Sequence, residues 1–217
     1  MKIFIDSGNI KDIETLVAIG IIDGVTTNPS LLAKEPGDYR ANLKKICQIV
    51  KGPVSGEVTA VDVAGMLQQG RDIAKIDEHM IVKVPLTRAG IQACKSLSGD
   101  GIRVNVTLCF WSAQALLAAK AGATYISPFV GRLDDVGTNG MDLIREIVEI
   151  YDNYDFTTEV LVASCRHPIH VIEAARLGAD IATCPPAVID QLFNHPLTTI
   201  GLEKFLKDWE KAQAVKA

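Results

Sequence analysis

The sequence predicts a parallel (β/α)8 barrel with one additional helix at its C-terminal end. Short β-branched runs alternate with longer amphipathic segments, eight such strands can be counted, and 217 residues suit a compact barrel. Parallel neighbours need crossover connections, which the amphipathic segments supply. A doubly wound open sheet is the structural alternative. The chain shows no linker or repeat, so one domain over residues 1–217 is expected.

The elements follow one another as apolar runs and amphipathic segments bounded by turn residues or caps. Ile13, Leu16 and Val17 recur at helical spacing after the first strand, and Leu143 and Ile147 do so after the sixth. The strands are predicted at Ile3–Asp6, Gly24–Asn28, Val54–Thr59, Met80–Pro85, Val104–Leu108, Thr124–Val130, Val160–Ser164 and Ile181–Cys184.

Two helical segments follow the eighth strand. Pro185 and Pro186 begin the first, and the second, Leu202–Ala214, has no strand to cross back to. Its apolar side chains form a stripe at helical spacing. The stripe consists of Leu202, Phe205, Leu206 and Trp209. The last helix therefore packs either on its own barrel or on a neighbouring subunit.

Composition excludes several classes of function. The 22 Lys and Arg residues against 26 Asp and Glu give a net charge of −4, so no basic field exists to hold nucleic acid or an anionic membrane. No apolar run approaches the roughly 20 residues of a membrane helix. Residues 1–6 also lack the apolar core of a signal peptide, so a cytoplasmic location is expected.

Neither the cysteines nor the histidines predict a metal site. The five cysteines are odd in number and contain no Cys-x-x-Cys pair, which suits a reducing compartment. The four histidines do not cluster with the carboxylates at the strand ends. His167 and His170 could face one another on a helix, but a surface or capping role is expected for them. No metal and no cofactor is predicted.

Seven strands carry polar side chains near their C-terminal ends, on the face that should point into the barrel. Helices cover the outer face, whereas the inner face can become polar at the C-terminal end, where the active sites of this fold lie. The alternation places on this face Asp6, Thr26 with Asn28, Ser55 with Glu57 and Thr59, Lys83, Asn105 with Thr107, Ser127 with Phe129, and Val162 with Ser164.

Each of these groups has an ordinary explanation when taken alone. Lys83 could be an ion-paired lysine with Glu57 as its buried partner, Asn28 a turn residue before a proline, and Asp6 a helix cap. Unpaired buried polar groups cost about 1 to 3 kcal/mol each. Coincidence on seven strands therefore indicates one site.

A lysine among aliphatic neighbours can serve as a nucleophile. Lys83 stands between two valines of the opposite face, and loss of hydration favours the neutral amine that attacks a carbonyl. The Schiff base so formed draws electrons from the adjacent carbon–carbon bond. Glu57 is the candidate for moving protons, through water held by Thr107, and Asp6 for taking a hydroxyl proton as the bond breaks.

Two arginines follow the sixth and seventh strands. Arg132 and Arg166 lie in late βα loops, which often hold phosphate in barrels, and arginine binds phosphate in bidentate fashion. The alternative is an arginine paired with a loop acid, Asp134 or Asp135 in the case of Arg132. Both arginines together with Ser164 favour a phosphorylated substrate.

Six segments carry a family likeness, in the same order and over nearly the whole chain. They are Asp6, Gly24–Ser30, Val82–Pro85, Asn105–Thr107, Ser127–Arg132 and Ala163–Arg166. In these segments the chain closely resembles the small transaldolase and fructose-6-phosphate aldolase family. Thr-Thr-Asn-Pro-Ser and Val-Lys-Val-Pro are specific as a pair. Cys165 departs from the pattern, because the family often has an aromatic residue there.

The resemblance implies a class I, metal-free barrel enzyme whose Schiff-base lysine is Lys83. It implies that Asp6 accepts the hydroxyl proton in carbon–carbon cleavage and that Glu57 and Thr107 move protons through a bound water. Asn28, Asn105 and Ser127 would hold the dihydroxyacetone unit. The implied substrate-binding residues are Thr27, Asn28, Asn105, Ser127, Phe129, Arg132, Ser164 and Arg166, of which the last three match the phosphate positions.

Two positions bear on the choice between the family's activities. The aldolase members carry Gln where Glu57 stands and a proton-donating Tyr where Phe129 stands. The resemblance therefore implies transfer of a dihydroxyacetone unit from sedoheptulose 7-phosphate to glyceraldehyde 3-phosphate, giving erythrose 4-phosphate and fructose 6-phosphate. The alternatives are an aldolase that releases dihydroxyacetone and a barrel that only binds sugar phosphates. Family members assemble into pentameric rings and decamers, so a homo-oligomer is expected.

Overall fold

The computed structural model describes residues 1–214, which form a closed barrel of eight parallel strands in sequential order. The predicted fold class is therefore confirmed, and the open-sheet alternative is wrong. The strands are β1 (Lys2–Asp6), β2 (Gly24–Thr26), β3 (Val54–Glu57), β4 (Met80–Pro85), β5 (Val104–Cys109), β6 (Tyr125–Pro128), β7 (Glu159–Val162) and β8 (Ile181–Cys184).

Helices separate consecutive strands and cover the barrel. Two helices follow each of β2, β6 and β8. The helices are α1 (Ile10–Val17), α2 (Pro29–Leu32), α3 (Tyr39–Val50), α4 (Val63–Ala74), α5 (Arg88–Gly99), α6 (Ser112–Ala121), α7 (Val130–Asp135), α8 (Gly140–Asn153), α9 (Pro168–Leu177), α10 (Pro186–Gln191) and α11 (Pro196–Ala214).

Four strands, β2, β3, β6 and β7, are shorter than predicted, and side-chain hydrogen bonds at the loops explain this for β2 and β3. Asn28 caps α2, since its Oδ1 accepts from Leu31 N at 2.9 Å, and β2 therefore ends at Thr26. Beyond β3, Gln69 Oε1 accepts from Thr59 N at 2.8 Å and draws that segment toward α4. The predicted inward orientation of Thr59 is wrong, because this residue is exposed and lies outside the strand.

Apolar side chains fill the barrel below the polar groups of the strands. Six buried residues form this inner cluster, separate from the larger core between strands and helices. They are Phe4, Ile81, Tyr125, Leu161, Ala163 and Ile181. Several stand two residues before a polar group on the same strand, as Phe4 precedes Asp6 and Ile81 precedes Lys83. Burial of each large side chain stabilises the fold by about 1.5 to 3 kcal/mol.

The predicted inward face of the seventh strand is wrong. Leu161 and Ala163 belong to the inner cluster, whereas Val162 belongs to the core under the helices. Because Val160, Leu161 and Val162 are all apolar, the alternation carries no signal there. Ser164 nevertheless reaches the barrel mouth, because it lies beyond β7 with a left-handed φ of 60°.

The last helix does not pack its apolar stripe on the barrel. Among the residues of α11 that the structure describes, none is buried. The stripe residues are each between 55% and 71% exposed: Leu202, Phe205, Leu206 and Trp209. Within residues 1–214, no helix is both long and apolar enough to cross a membrane.

Candidate active site

Lys83 lies inside the barrel beside Glu57, near the C-terminal ends of the strands. The β3–β4 register pairs the two residues directly, and Nζ of Lys83 is 3.1 Å from Glu57 Oε2. Nζ also donates to the carbonyl oxygen of Thr27 at 3.1 Å. The side chains of Lys83 and Glu57 are only 6% and 15% exposed, so water screens the ion pair weakly. An amine and a proton acceptor are thus in direct contact.

A hydrogen-bonded network on β3, β5 and β6 adjoins this pair. Asn105 is the register partner of Lys83, and its Nδ2 donates to Ser55 Oγ at 3.2 Å. Ser127 Oγ donates to Asn105 Oδ1 at 2.8 Å. All three polar side chains are buried. The two bonds fix the orientation of the Asn105 amide, so both of its ends face defined partners.

Thr107 supplies a buried hydroxyl at the end of β5. Its Oγ1 has no hydrogen-bond partner among residues 1–214. An unmet hydrogen bond of this kind costs about 1 to 3 kcal/mol, which a bound water or substrate group would recover. The next residue, Leu108, has a φ of 61° where the β5–β6 register shifts. This bulge ends the regular pairing above Thr107.

Asp6 stands at the end of β1, across the barrel mouth from the pair. Its Oδ1 accepts from Thr26 Oγ1 at 2.8 Å, and the β1–β2 register pairs these two residues. Burial raises the pKa of Asp6 above that of an ordinary aspartate, whereas the Thr26 hydrogen bond and the Lys83 charge lower it. Because burial is the largest effect, Asp6 is a stronger base than an exposed aspartate.

One cavity of about 160 Å³ opens between these groups and the rim. It is lined by eight of the predicted site residues, which are Asp6, Asn28, Lys83, Ser127, Phe129, Arg132, Ser164 and Arg166. Glu57 instead lines an adjoining cavity of about 650 Å³ on the β2–β3 side. Thr27 lines neither cavity, since it is fully buried and its hydroxyl donates to Ser55 O at 2.7 Å.

The two predicted phosphate arginines are held differently at the rim. Arg166 Nη2 is 2.8 Å from Asp135 Oδ2, with both side chains at least half exposed. Arg132 has no ion pair within residues 1–214, and its guanidinium lies 4.9 Å from the centre of the Phe129 ring. The alternative of an arginine paired with a nearby acid is therefore wrong for Arg132 but holds for Arg166. Both arginines face the cavity of Asp6 and Lys83.

His170 connects the two arginine-bearing segments. Its Nδ1 accepts from the backbone N of Arg166 at 3.2 Å, and its Nε2 is 2.9 Å from Asp134 Oδ2. This bonding fits a neutral ring with its hydrogen on Nε2. Burial lowers the pKa of His170, and the neighbouring His167 lowers it further. The expected surface role of His170 is wrong, because the residue is only 4% exposed.

Gly131 allows α7 to approach the loop after β7. A Cβ at this position would lie 2.2 Å from Ser164 O and 2.6 Å from Arg166 Nε. Only a residue without a side chain fits between them without displacing one segment. The close approach brings Arg132 and Arg166, which lie on either side of it, to one cavity.

Some groups at the mouth were not predicted as site residues. Thr183 on β8 lines the cavity. Thr26 and Ser55, which the sequence places on the inward face without a role, donate to Asp6 and orient Asn105 respectively. Thr183 follows Ile181 by two residues on the inward face, and this alternation could have identified it.

The cysteines and the other side chains that commonly bind metals are dispersed in the described part of the chain. Across residues 1–214, no group of three or more His, Cys, Asp or Glu side chains is placed to hold a metal ion. Burial raises the pKa of Cys94 to about 11 and that of Cys109 to about 12. Cys165, which directly precedes Arg166, is fully buried. At neutral pH the Cys94 and Cys109 thiols therefore stay protonated.

The barrel and the groups at its mouth define an enzyme of the transaldolase and aldolase kind. The sequence model of the transaldolase/fructose-6-phosphate aldolase family matches residues 3–216, and the chain belongs to this family. It is 59% identical over 211 residues to a probable transaldolase of Anaeromyxobacter dehalogenans, covering 97% of each chain. Probable transaldolases of Caldicellulosiruptor saccharolyticus and Methanococcus maripaludis are 58% and 57% identical, covering 97% of this chain and 98% of each relative.

Proposed function

We propose that this protein is a transaldolase that transfers a dihydroxyacetone unit from sedoheptulose 7-phosphate to glyceraldehyde 3-phosphate through a Schiff base on Lys83. The products are erythrose 4-phosphate and fructose 6-phosphate. The observation that carries the proposal is the 3.1 Å contact of Lys83 Nζ with Glu57 inside the barrel mouth, with Asp6 lining the same cavity as Lys83. The relatives named probable transaldolase support the same choice.

Glu57 moves the protons of Schiff-base formation. Its carboxylate takes a proton from the Lys83 ammonium, and the neutral amine attacks the ketone carbon. The resulting carbinolamine loses its hydroxyl as water when Glu57 returns the proton, which leaves a protonated imine. Thr107, whose hydroxyl lacks a protein partner among residues 1–214, would hold the water involved. Atoms and charges balance without a metal or cofactor.

Asp6 acts in the cleavage of the carbon–carbon bond. It takes the proton of the hydroxyl beside the scissile bond, the departing carbons leave as an aldehyde, and the bond electrons move to the imine as an enamine. The raised pKa of Asp6 suits this role, because the proton is bound more firmly than by an exposed carboxylate. The reverse steps join the enamine to the acceptor aldehyde.

Side chains around the cavity would hold the substrate at both ends. Asn105 and Ser127 are fixed by their mutual hydrogen bond. Asn28 Oδ1 caps α2, and its Nδ2 has no hydrogen-bond partner among residues 1–214. These amides and hydroxyls match the hydroxyls of a dihydroxyacetone unit. At the rim Arg132 and Arg166 would bind the phosphate with charge-assisted hydrogen bonds.

Phe129 favours transfer over release of free dihydroxyacetone. It lines the cavity between Ser127 and Arg132 and has no proton to give. Glu57 is therefore left as the acid–base group in contact with Lys83 Nζ. Protonation and hydrolysis of the enamine are then slow relative to capture by an aldehyde, which is the requirement for a transferase.

We also infer that the protein is a homo-oligomer assembled through α11. Its stripe of Leu202, Phe205, Leu206 and Trp209 is more than half exposed in the single chain. A second copy covering this stripe would remove the largest apolar side chains of the helix from water. Light scattering should then give the mass of two or more chains rather than that of one.

The decisive assay supplies fructose 6-phosphate with and without erythrose 4-phosphate. Sedoheptulose 7-phosphate should form only with the acceptor, and free dihydroxyacetone should stay near background. Steady release of dihydroxyacetone without acceptor would instead establish the aldolase. Borohydride should trap a covalent adduct with fructose 6-phosphate, which Lys83→Met abolishes. Lys2→Met is the matched control, since Lys2 pairs with Glu159 at the opposite end of the barrel.

A paired exchange tests the assignment of Glu57 and Phe129. Glu57→Gln should lower the rate of transfer by about 100-fold or more, because acid–base catalysis contributes factors of that order. Adding Phe129→Tyr should restore part of the turnover as release of free dihydroxyacetone. A double variant that restores transfer instead would show that these two positions do not decide the outcome.

A further inference from the structure

Thr183 makes the shortest hydroxyl contact at the barrel mouth. Its Oγ1 lies 2.6 Å from Thr26 Oγ1, and Thr26 Oγ1 donates to Asp6 Oδ1 at 2.8 Å. Both threonines are 2% exposed. They come from β2 and β8, the two strands that flank β1, and their hydroxyls meet inside the barrel. Among residues 1–214, Thr183 is therefore connected to Asp6 by hydrogen bonds only through Thr26.

The number of hydroxyl hydrogens fixes the direction of these two hydrogen bonds. A hydroxyl has one hydrogen, and that of Thr26 is used when it donates to the ionised Asp6. The 2.6 Å contact must then be Thr183 donating to Thr26. A hydroxyl that accepts a hydrogen bond becomes a better donor, so Thr183 strengthens the bond that Thr26 makes to the carboxylate.

We propose that Thr183 is a positioning residue that holds the Thr26 hydroxyl in the orientation in which it donates to Asp6. The inference rests on the proposed function, in which Asp6 is the base of the cleavage step. Once Asp6 has taken the substrate proton, both hydroxyls can rotate, so that Asp6 donates to Thr26 and Thr26 to Thr183. The same two side chains thereby serve both states of the carboxyl group.

Several ionisable groups also lie near Asp6. Lys83 on β4 faces Asp6 and favours its charged form, and the Cys165 thiol lies behind it. Arg132 and Arg166 share its cavity from the rim. None of these groups contacts Thr183 by hydrogen bond within residues 1–214. Loss of the Thr183 hydroxyl should therefore weaken one hydrogen bond to the carboxylate and leave the charges in place.

The test compares Thr183→Val with Thr183→Ser in the full-length protein. Valine matches threonine in shape but has no hydroxyl, so kcat should fall by about tenfold and the acidic limb of the rate profile should move to higher pH. Serine should keep both close to wild type. Thr158→Val is the matched control, since Thr158 is a buried threonine whose hydroxyl bonds Ala123 O at 2.7 Å, away from the mouth.

The outcomes separate this inference from the function on which it rests. Borohydride should trap as much adduct with Thr183→Val as with wild type, because Lys83 is untouched. A valine variant whose pH profile matches that of Thr158→Val, or a serine variant that loses as much as valine, would overturn the positioning role alone. Wild-type protein that forms no adduct and cleaves no sugar phosphate would overturn the proposed function together with this inference.

Discussion

The interior and the rim of the site are built in different ways. In the interior, Lys83, Glu57 and Asn105 lie on adjacent strands and are placed by the register of β3, β4 and β5. At the rim, Arg132 lies on α7 and Arg166 in the loop after β7, and both are placed by contacts between these two segments. Lys83 and Asn105 are buried and the Glu57 side chain is 15% exposed, whereas both side chains of the Arg166–Asp135 pair are at least half exposed.

This difference separates the chemistry from substrate recognition. Removing one partner of a buried ion pair costs about 3 to 5 kcal/mol, which keeps Lys83 and Glu57 in one arrangement. An exposed pair such as Arg166–Asp135 contributes about 0.2 to 1 kcal/mol and can exchange its partner for a phosphate. In the proposed function the interior would therefore fix the reaction, and the rim could adapt to the substrate.

The largest effect in the interior is expected from Asp6→Asn. Asparagine keeps the Thr26 hydrogen bond but cannot take a proton, so cleavage should slow by about 100- to 10,000-fold. The same change should stabilise the fold at neutral pH. Because burial raises the pKa of Asp6, its contribution to stability is present below about pH 4 and is lost as the pH rises through the folded-state pKa.

Thermal unfolding of both proteins between pH 4 and pH 7 checks this sign. The melting temperature of Asp6→Asn should exceed that of wild type by more at pH 7 than at pH 4. A variant that is less stable than wild type at pH 7 would show that the ionised Asp6 is fully compensated by Thr26 and Lys83.

At the rim, Arg166→Ala should affect binding more than Arg132→Ala. The first removes a cation and also leaves the Asp135 carboxylate to repel the phosphate, whereas the second removes only a cation. KM for the phosphorylated donor should rise by about 10- to 100-fold, with little change in kcat. Adding Asp135→Asn to Arg166→Ala should recover part of the loss. The KM for unphosphorylated glyceraldehyde as acceptor should change in neither arginine variant, because this acceptor has no phosphate.

Gly131→Ala should disturb the rim without touching the interior. The new Cβ would meet Ser164 O and must push apart the segments that carry the two arginines. Overpacking of this kind costs about 1 to 3 kcal/mol of stability. KM should rise and the yield of borohydride adduct at saturating substrate should not fall. Gly99→Ala is the control, because a Cβ there meets nothing within 4 Å.

The smallest effect is expected from His170→Phe, which keeps a ring but removes the acceptor for Arg166 N. KM should rise by about two- to fivefold. Because the folded-state pKa of His170 is lowered, its contribution to stability is present above about pH 6.5 and is lost as the pH falls through the folded-state pKa. Between pH 7 and pH 5, the melting temperature of the variant should therefore fall less than that of wild type. His79→Phe, at the other end of the barrel, should leave KM unchanged.

The sequence predicts the interior better than the rim for a physical reason. Alternation along strands and the order of a parallel barrel bring Glu57 beside Lys83 without further information. The partner of a rim arginine depends instead on how loops fold over one another, and Asp135 pairs with Arg166 rather than with Arg132. On β7 the apolar residues of both faces hide the alternation, so Leu161 was not recognised as inward.

The contact of Lys83 with the Thr27 carbonyl has a consequence for which ketones can react. The ammonium of Lys83 has three hydrogens, which serve Thr27 O and Glu57 in the free enzyme. The protonated imine of the proposed Schiff base has a single hydrogen, so one of these acceptors would lose its donor. A hydroxyl on the carbon next to the imine can take that place. Ketones lacking such a hydroxyl would leave a buried oxygen without a donor and should be disfavoured as adducts.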